Sequence, residues 1–203
     1  MMENSYTAAQ ASAVSGLPLK SVQKLIEVRL ISPSKKRKGR EIQSLLSSGQ
    51  VVYLRLEAGG VRLLPLAARR EVARTVLSDP EVNTIVLEGG SALMVEVKKA
   101  RRDVEQELKR LRKVQAMVVS DPEIMRGTPV FKGTRIPVEL VAEMTAEGAT
   151  VAEILAGYPA LNRERVELAQ LYVAAFPRRG RPAHRPWAKK KPVRVTRQRR
   201  ATA

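Results

Sequence analysis

The chain of 203 residues contains no cysteine and a single histidine, His184. The first absence excludes disulfides, thiol catalysis and cysteine-ligated zinc. The second leaves no histidine pair for a catalytic dyad or a metal cluster. Aromatic residues make up only 3% of the chain against 44% hydrophobic residues. The core must therefore come from Leu, Val, Ile and Ala, which favours helices with some strand. No apolar run approaches the ~20 residues of a membrane-spanning helix. The opening stretch MMENSYTAAQ lacks the basic start and apolar run of a signal peptide, so the expected location is cytoplasmic. Glycine-rich phosphate loops of the GxxxxGK[ST] and GxGxxG kinds are missing as well. The acidic residues sit mostly in helical segments, interleaved with Lys and Arg, which is the pattern of solvated faces. The expectation is a non-enzymatic protein that needs no metal or cofactor.

What the chain has in excess is positive charge. Its 37 Lys and Arg outnumber 20 Asp and Glu, for a net +17. Residues 178–203 hold 11 of those bases and no acid, which leaves 26 bases against 20 acids, or +6, in the first 177 residues. A charge concentrated in this way attracts polyanions or an acidic protein surface.

The sequence divides into four segments. Residues 1–43 read as a winged helix-turn-helix. Thr7 and Gln10 have capping-box spacing ahead of a short helix. Gly16 ends that helix, Pro18 opens a second, and Val22, Leu25 and Ile26 form its buried stripe. LISPSKKRKGREI then predicts a strand, a basic loop and a strand. Residues 44–116 form a connecting region. SSGQVVYLRLEA fits either a strand or a helix, with the helix favoured. A helix over residues 65–77 starts at Pro65, and a hairpin turns at Gly89-Gly90. A long charged helix follows, with Val104, Leu108 and Leu111 on one face and Glu105 and Lys109 in the favourable i,i+4 order. It either pairs with its own copy or packs on the hairpin. Residues 117–177 predict a small strand unit turning at Lys132-Gly133 and helices at 138–147, 151–156 and 163–175. Thr150 and Glu153 cap the middle one. The expected core of this segment is Ile154, Leu155, Leu161, Val166, Ala169 and Val173. SDPE occurs at 78–81 and 120–123, each time as a turn in which Asp accepts a backbone hydrogen bond. Residues 178–203 are an extended basic tail. The fold class is α+β, mostly helical.

Three places have residues suited to binding. Lys20, Ser21, Gln23 and Lys24 lie on the outer faces of the second helix, where a recognition helix carries its base contacts. Gln pairs with an adenine edge and Lys with guanine or phosphate. Lys35, Lys36, Arg37, Lys38 and Arg40 in the wing suit phosphate contact, which contributes affinity rather than specificity. The alternative is a protein-binding helical module with a solvated basic loop. Arg163 and Arg165 mark either a second reading helix or a packing and dimerisation unit. In the tail, Arg178, Arg179, Arg181 and Arg185 surround Trp187. Arg and Trp dominate protein hot spots, and arginines suit an acidic cleft. The stretch Arg179–Pro182, RGRP, also has the form of a minor-groove hook, and a solvated tail without a target is the third reading.

GTPVFKGTRIPVELVAEM followed by EILAGYP resembles the small domain of many bacterial antitoxins known as domain of unknown function four-three-three. YTAAQASAVSGLPLKSVQKLIEVRLISP resembles the MerR-type winged helix. The combination is similar to a VapB-class antitoxin. That resemblance implies a PIN-like ribonuclease toxin as partner, inhibition of the toxin by direct binding, and repression of the chain's own operator DNA. The partner's metal site would be a carboxylate cluster, the chemical complement of the basic tail. A homodimer or a larger toxin–antitoxin assembly is expected, since helix-turn-helix proteins read paired half-sites. The alternative function is a stand-alone DNA-binding transcription regulator. A third is a nucleoid or RNA-binding protein that relies on charge alone.

Overall fold

The computed structural model describes residues 5–38, 41–87 and 93–178. In chain order the elements are α1 (Ala8–Ser15), α2 (Leu19–Glu27), β1 (Ser34–Lys38), β2 (Glu41–Leu45), α3 (Ser48–Ala58), a 3-10 turn at Val61–Leu63 and α4 (Leu66–Ser78). They continue with β3 (Thr84–Leu87), β4 (Leu93–Glu96), α5 (Val97–Ala116), β5 (Val118–Val119) and a second 3-10 turn at Met125–Gly127. The last are β6 (Val130–Phe131), α6 (Val138–Ala146), α7 (Val151–Gly157) and α8 (Arg163–Ala175). The strands form three separate antiparallel pairs, β1–β2, β3–β4 and β5–β6. The fold is α+β and mostly helical.

Local chemistry sets the helix starts. Thr7, Ser47 and Thr150 each accept from the backbone N–H three residues on, and Gln10, Gln50 and Glu153 reach back to the cap. Such a cap stabilises a helix by about 1 kcal/mol. α1 stops at Gly16, whose φ of +75° is left-handed and suits a residue without Cβ. Both SDPE stretches are turns of the expected kind. The N–H of Glu81 donates to Asp79 Oδ1 and that of Glu123 to Asp121 Oδ1, each at 2.9 Å.

Buried apolar side chains form one connected cluster from Tyr6 to Ala175. α5 lies in the middle of it. Val97, Ala100, Val104, Leu108, Leu111 and Val114 are all buried, against α1, α3 and α8. The apolar stripe of α5 is thus filled from within the chain. α8 also packs on α1 and α6, so the first helix and the last share one core. In the C-terminal segment Ile154, Leu161, Val166 and Ala169 are buried, while Leu155 and Val173 are half-buried at its edge.

Two features depart from the sequence reading. The basic run is not a loop between strands but the strand β1 itself, paired from Ser34↔Leu45 to Lys38↔Glu41. Nor are all acids solvated. Glu57 is 1% exposed. Arg69 Nε and Nη2 donate to its two oxygens at 2.9 and 3.0 Å, and the Tyr53 hydroxyl donates to the same carboxylate. Burial, and then the carboxylate, push the Tyr53 phenol well above its ordinary range. This cluster ties α3 to α4, and removing one partner of such a buried pair costs about 3–5 kcal/mol.

Candidate nucleic-acid interface

α2 is held by one face. Val22 and Leu25 are buried and Ile26 is half-buried. Pro18 precedes the helix at φ −53°, a value already close to helical. With the core side fixed, Lys20, Gln23 and Lys24 project to solvent and Ser21 is half-buried. Lys20 and Lys24 are one turn apart on the same face. Lys24 also lies 3.8 Å from Glu27, both well exposed, and such a pair contributes little.

The chain leaves α2 through a tight cap. The Arg29 N–H donates to Ile26 O at 3.1 Å and the Leu30 N–H to Leu25 O at 2.9 Å, the two bonds of a Schellman motif. Arg29 occupies the left-handed position at φ +55°, where glycine is usual. Leu30 and Ile31 then plunge into the core. Nothing in the sequence marks Arg29, because the positive φ follows from burying Leu30 and Ile31 straight after the helix.

The β1–β2 hairpin is fastened at its open end, where the chain enters β1 and where it leaves β2. Gln50 Nε2 donates to Ser32 O at 2.8 Å where the chain approaches β1. Beyond β2, Tyr6 and Leu46 exchange backbone hydrogen bonds of 2.9 and 2.7 Å. Between these anchors Lys35, Lys36 and Arg37 are exposed. Lys35 and Arg37 share a face with Ser44 and Ile42, and Lys36 faces the other way beside Gln43. Lys38 closes β1, whereas Arg40 lies outside the described residues. A helix with exposed Lys and Gln, followed by a cationic hairpin anchored at its base, can place base contacts and phosphate contacts together.

The other candidate residues are not gathered here. Arg165 is used inside the fold. Its Nη2 donates to Lys132 O at 3.0 Å and its Nη1 to Ala160 O at 3.3 Å, with the guanidinium 5.8 Å from the Phe131 ring centre. Arg163 pairs with Glu167 at 3.6 Å, and Glu164 pairs with Lys113 of α5. Arg165 therefore braces the chain around β6, while Arg163 is exposed beside Glu167. Arg178 sits 3.6 Å from Glu139 of α6, and Arg179, Arg181, Arg185 and Trp187 lie outside the described residues. Among the described residues no group of three or more His, Asp or Glu is placed to hold a metal ion, and no helix is long and apolar enough to cross a membrane.

A further irregularity lies before β6. Met125, Arg126 and Gly127 are all left-handed, at φ +50°, +55° and +76°. At Met125 and Arg126, though not at Gly127, this is strain of order 1–3 kcal/mol per residue. No residue type in the sequence announces it, apart from the glycine that ends it.

Residues 118–173 match the family model described as a protein of unknown function, DUF433, so the resemblance of the C-terminal segment to that family is borne out. An uncharacterized protein, y4eO of Sinorhizobium fredii (strain NBRC 101917 / NGR234), is 38% identical over 89 residues. The match covers 44% of this chain and 40% of that protein. The X-ray crystal structure of Rv2018 from Mycobacterium tuberculosis aligns with 81% of this chain and 96% of that one. Its sequence identity is 15% and the TM-score is 0.34, a level of overlap that carries no argument about function.

Proposed function

We propose that this chain is an antitoxin that binds its own operator DNA and neutralises a PIN-like ribonuclease toxin. α2 and the β1–β2 hairpin contact the DNA, and the basic tail, with Arg178, Arg179, Arg181, Arg185 and Trp187, contacts the toxin. The observation that carries the reading is the joint exposure of Lys20, Gln23 and Lys24 on α2 and of Lys35, Lys36 and Arg37 on the hairpin. The match of residues 118–173 to the DUF433 family supports the antitoxin half through the resemblance of that domain to antitoxin domains. The charge of residues 178–203, 11 bases and no acid, is the chemical complement of a carboxylate-lined ribonuclease site.

The test is co-purification of the tagged chain with the product of the neighbouring gene, alongside binding to DNA from upstream of the pair. A partner retained by the full chain and lost on deleting residues 178–203, with site-specific DNA binding kept, is the expected result. Site-specific DNA binding with no partner makes the chain a stand-alone regulator. Binding without a preferred site, weakening steeply with salt, makes it a charge-only polyanion binder.

A further inference from the structure

The largest exposed apolar side chains of α3–α5 collect in one place. Leu63 in the 3-10 turn is 82% exposed, Met94 in β4 67% and Val86 in β3 53%. Leu63, Leu93 and Met94 line a single open groove of about 790 Å³ between the end of α3, β4 and the start of α5. Val86 is the cross-strand partner of Met94, so the two stand side by side on the outer face of the hairpin.

We propose that this face receives a second copy of the chain, giving a two-fold dimer across the β3–β4 hairpin and the Leu63 turn. Three observations lead there. The apolar stripe of α5, the other surface suited to self-pairing, is already buried within the chain. The exposed parts of Leu63, Val86, Leu93 and Met94 together equal about two and a half whole residues. At on the order of 100 Å² each, that is roughly 250 Å² of apolar surface per copy. A stable interface takes ~800 Å² per partner, about two thirds of it apolar in homodimers. The patch therefore supplies roughly half of the apolar area that a homodimer interface takes.

The third observation is charge. The charged residues lining the groove are Arg55, Glu96, Lys99 and Asp103, two of each sign. Arg55 and Asp103 pair with each other at 2.9 Å. On a chain of net charge +17, the balanced lining of this groove lets two copies meet with little mutual repulsion. The dimer does not depend on the identity of any toxin or operator.

Sedimentation equilibrium of the full chain over a range of concentrations tests it, with the double variant Leu63→Lys, Met94→Lys and the control Ile42→Lys. Ile42 is 70% exposed on the other hairpin. Wild type and Ile42→Lys are expected to dimerise alike, and the double variant to raise the dimer Kd by at least tenfold with an unchanged thermal melt. Because the chain has no cysteine, Met94→Cys supplies a second measurement. Mild oxidation should yield a disulfide-linked dimer, and Ile42→Cys should not. A monomer at every concentration, or a dimer indifferent to the double variant, overturns the proposal. So does cross-linking through position 42 in preference to 94.

Discussion

The β1–β2 and β3–β4 hairpins are of similar length and have opposite outsides. β1 shows solvent Lys35, Lys36 and Arg37, whereas β3–β4 shows it Val86 and Met94. β3–β4 follows the alternation of a half-buried sheet, with Ile85, Leu87 and Val95 inward. β1 does not alternate at all, since Ser34 to Arg37 are all exposed. The difference lies in how each hairpin is held. β3–β4 is held by its buried face. β1–β2 is held by its base, through Gln50 to Ser32 and Tyr6 to Leu46. A hairpin fastened at its base can present charge on both faces, which suits a polyanion. One fastened by a face leaves the opposite face for a protein.

Replacing Lys35, Lys36 and Arg37 together with alanine is the strongest way to break that contrast. If each contacts a phosphate, the slope of log K against log salt falls by about 0.9 per residue, and affinity at ~0.1 M salt drops by roughly two to three orders of magnitude. The fold should hardly notice, because substitutions at exposed sites usually shift stability by no more than ~0.5 kcal/mol. Fluorescence anisotropy of labelled DNA across a salt series measures the slope. An unchanged slope removes the hairpin from the interface.

Gln50→Ala sharpens the contrast from the side of the anchors. Gln50 accepts from the Ser47 N–H at 2.9 Å and donates to Ser32 O at 2.8 Å. Losing a cap and a buried hydrogen bond should destabilise the chain by about 2 kcal/mol, read by urea denaturation. Amide exchange should accelerate in β1–β2 more than in β3–β4. Equal acceleration in both would mean that the base of β1–β2 is not what holds it.

Features set by neighbouring residues were legible in the sequence. Thr7, Gly16, Pro18 and the 104/108/111 spacing mark helices where helices exist, and the two SDPE turns form as their chemistry requires. The cap at Ser47 and Gln50 was equally visible, three residues apart, but lay inside a stretch that also fitted a strand. What depends on distant partners was hidden. Glu57 reads as one more solvated helix charge until α4 brings Arg69 to it. The basic run reads as a loop because it lacks the alternation of a strand, and its pairing follows from anchors at Gln50 and Tyr6 that pattern does not reveal. Arg165 near the start of α8 has the character of a nucleic-acid contact, yet it braces the Lys132–Gly133 turn. Of the candidate site, the residue types were legible and their exposure was not.

The smallest expected effect concerns Arg29, on the path into β1–β2. A left-handed non-glycine residue costs roughly 1–2 kcal/mol, part of which glycine returns through the entropy of the unfolded chain. Arg29→Gly should therefore raise stability by up to about 1 kcal/mol, seen as a higher urea midpoint at constant slope. Among the described residues, the other non-glycine residues with positive φ are Met125 and Arg126, so the path into β3–β4 carries no counterpart. Arg29 is exposed and its hydrogen bonds in the cap are made by its backbone, so an arginine held there against the backbone preference points to a use for its side chain. The variant is then expected to be more stable and to lose about one unit of salt slope in DNA binding. A gain in stability with the slope intact would leave Arg29 a strained cap, and would confine the polyanion surface to α2 and the hairpin.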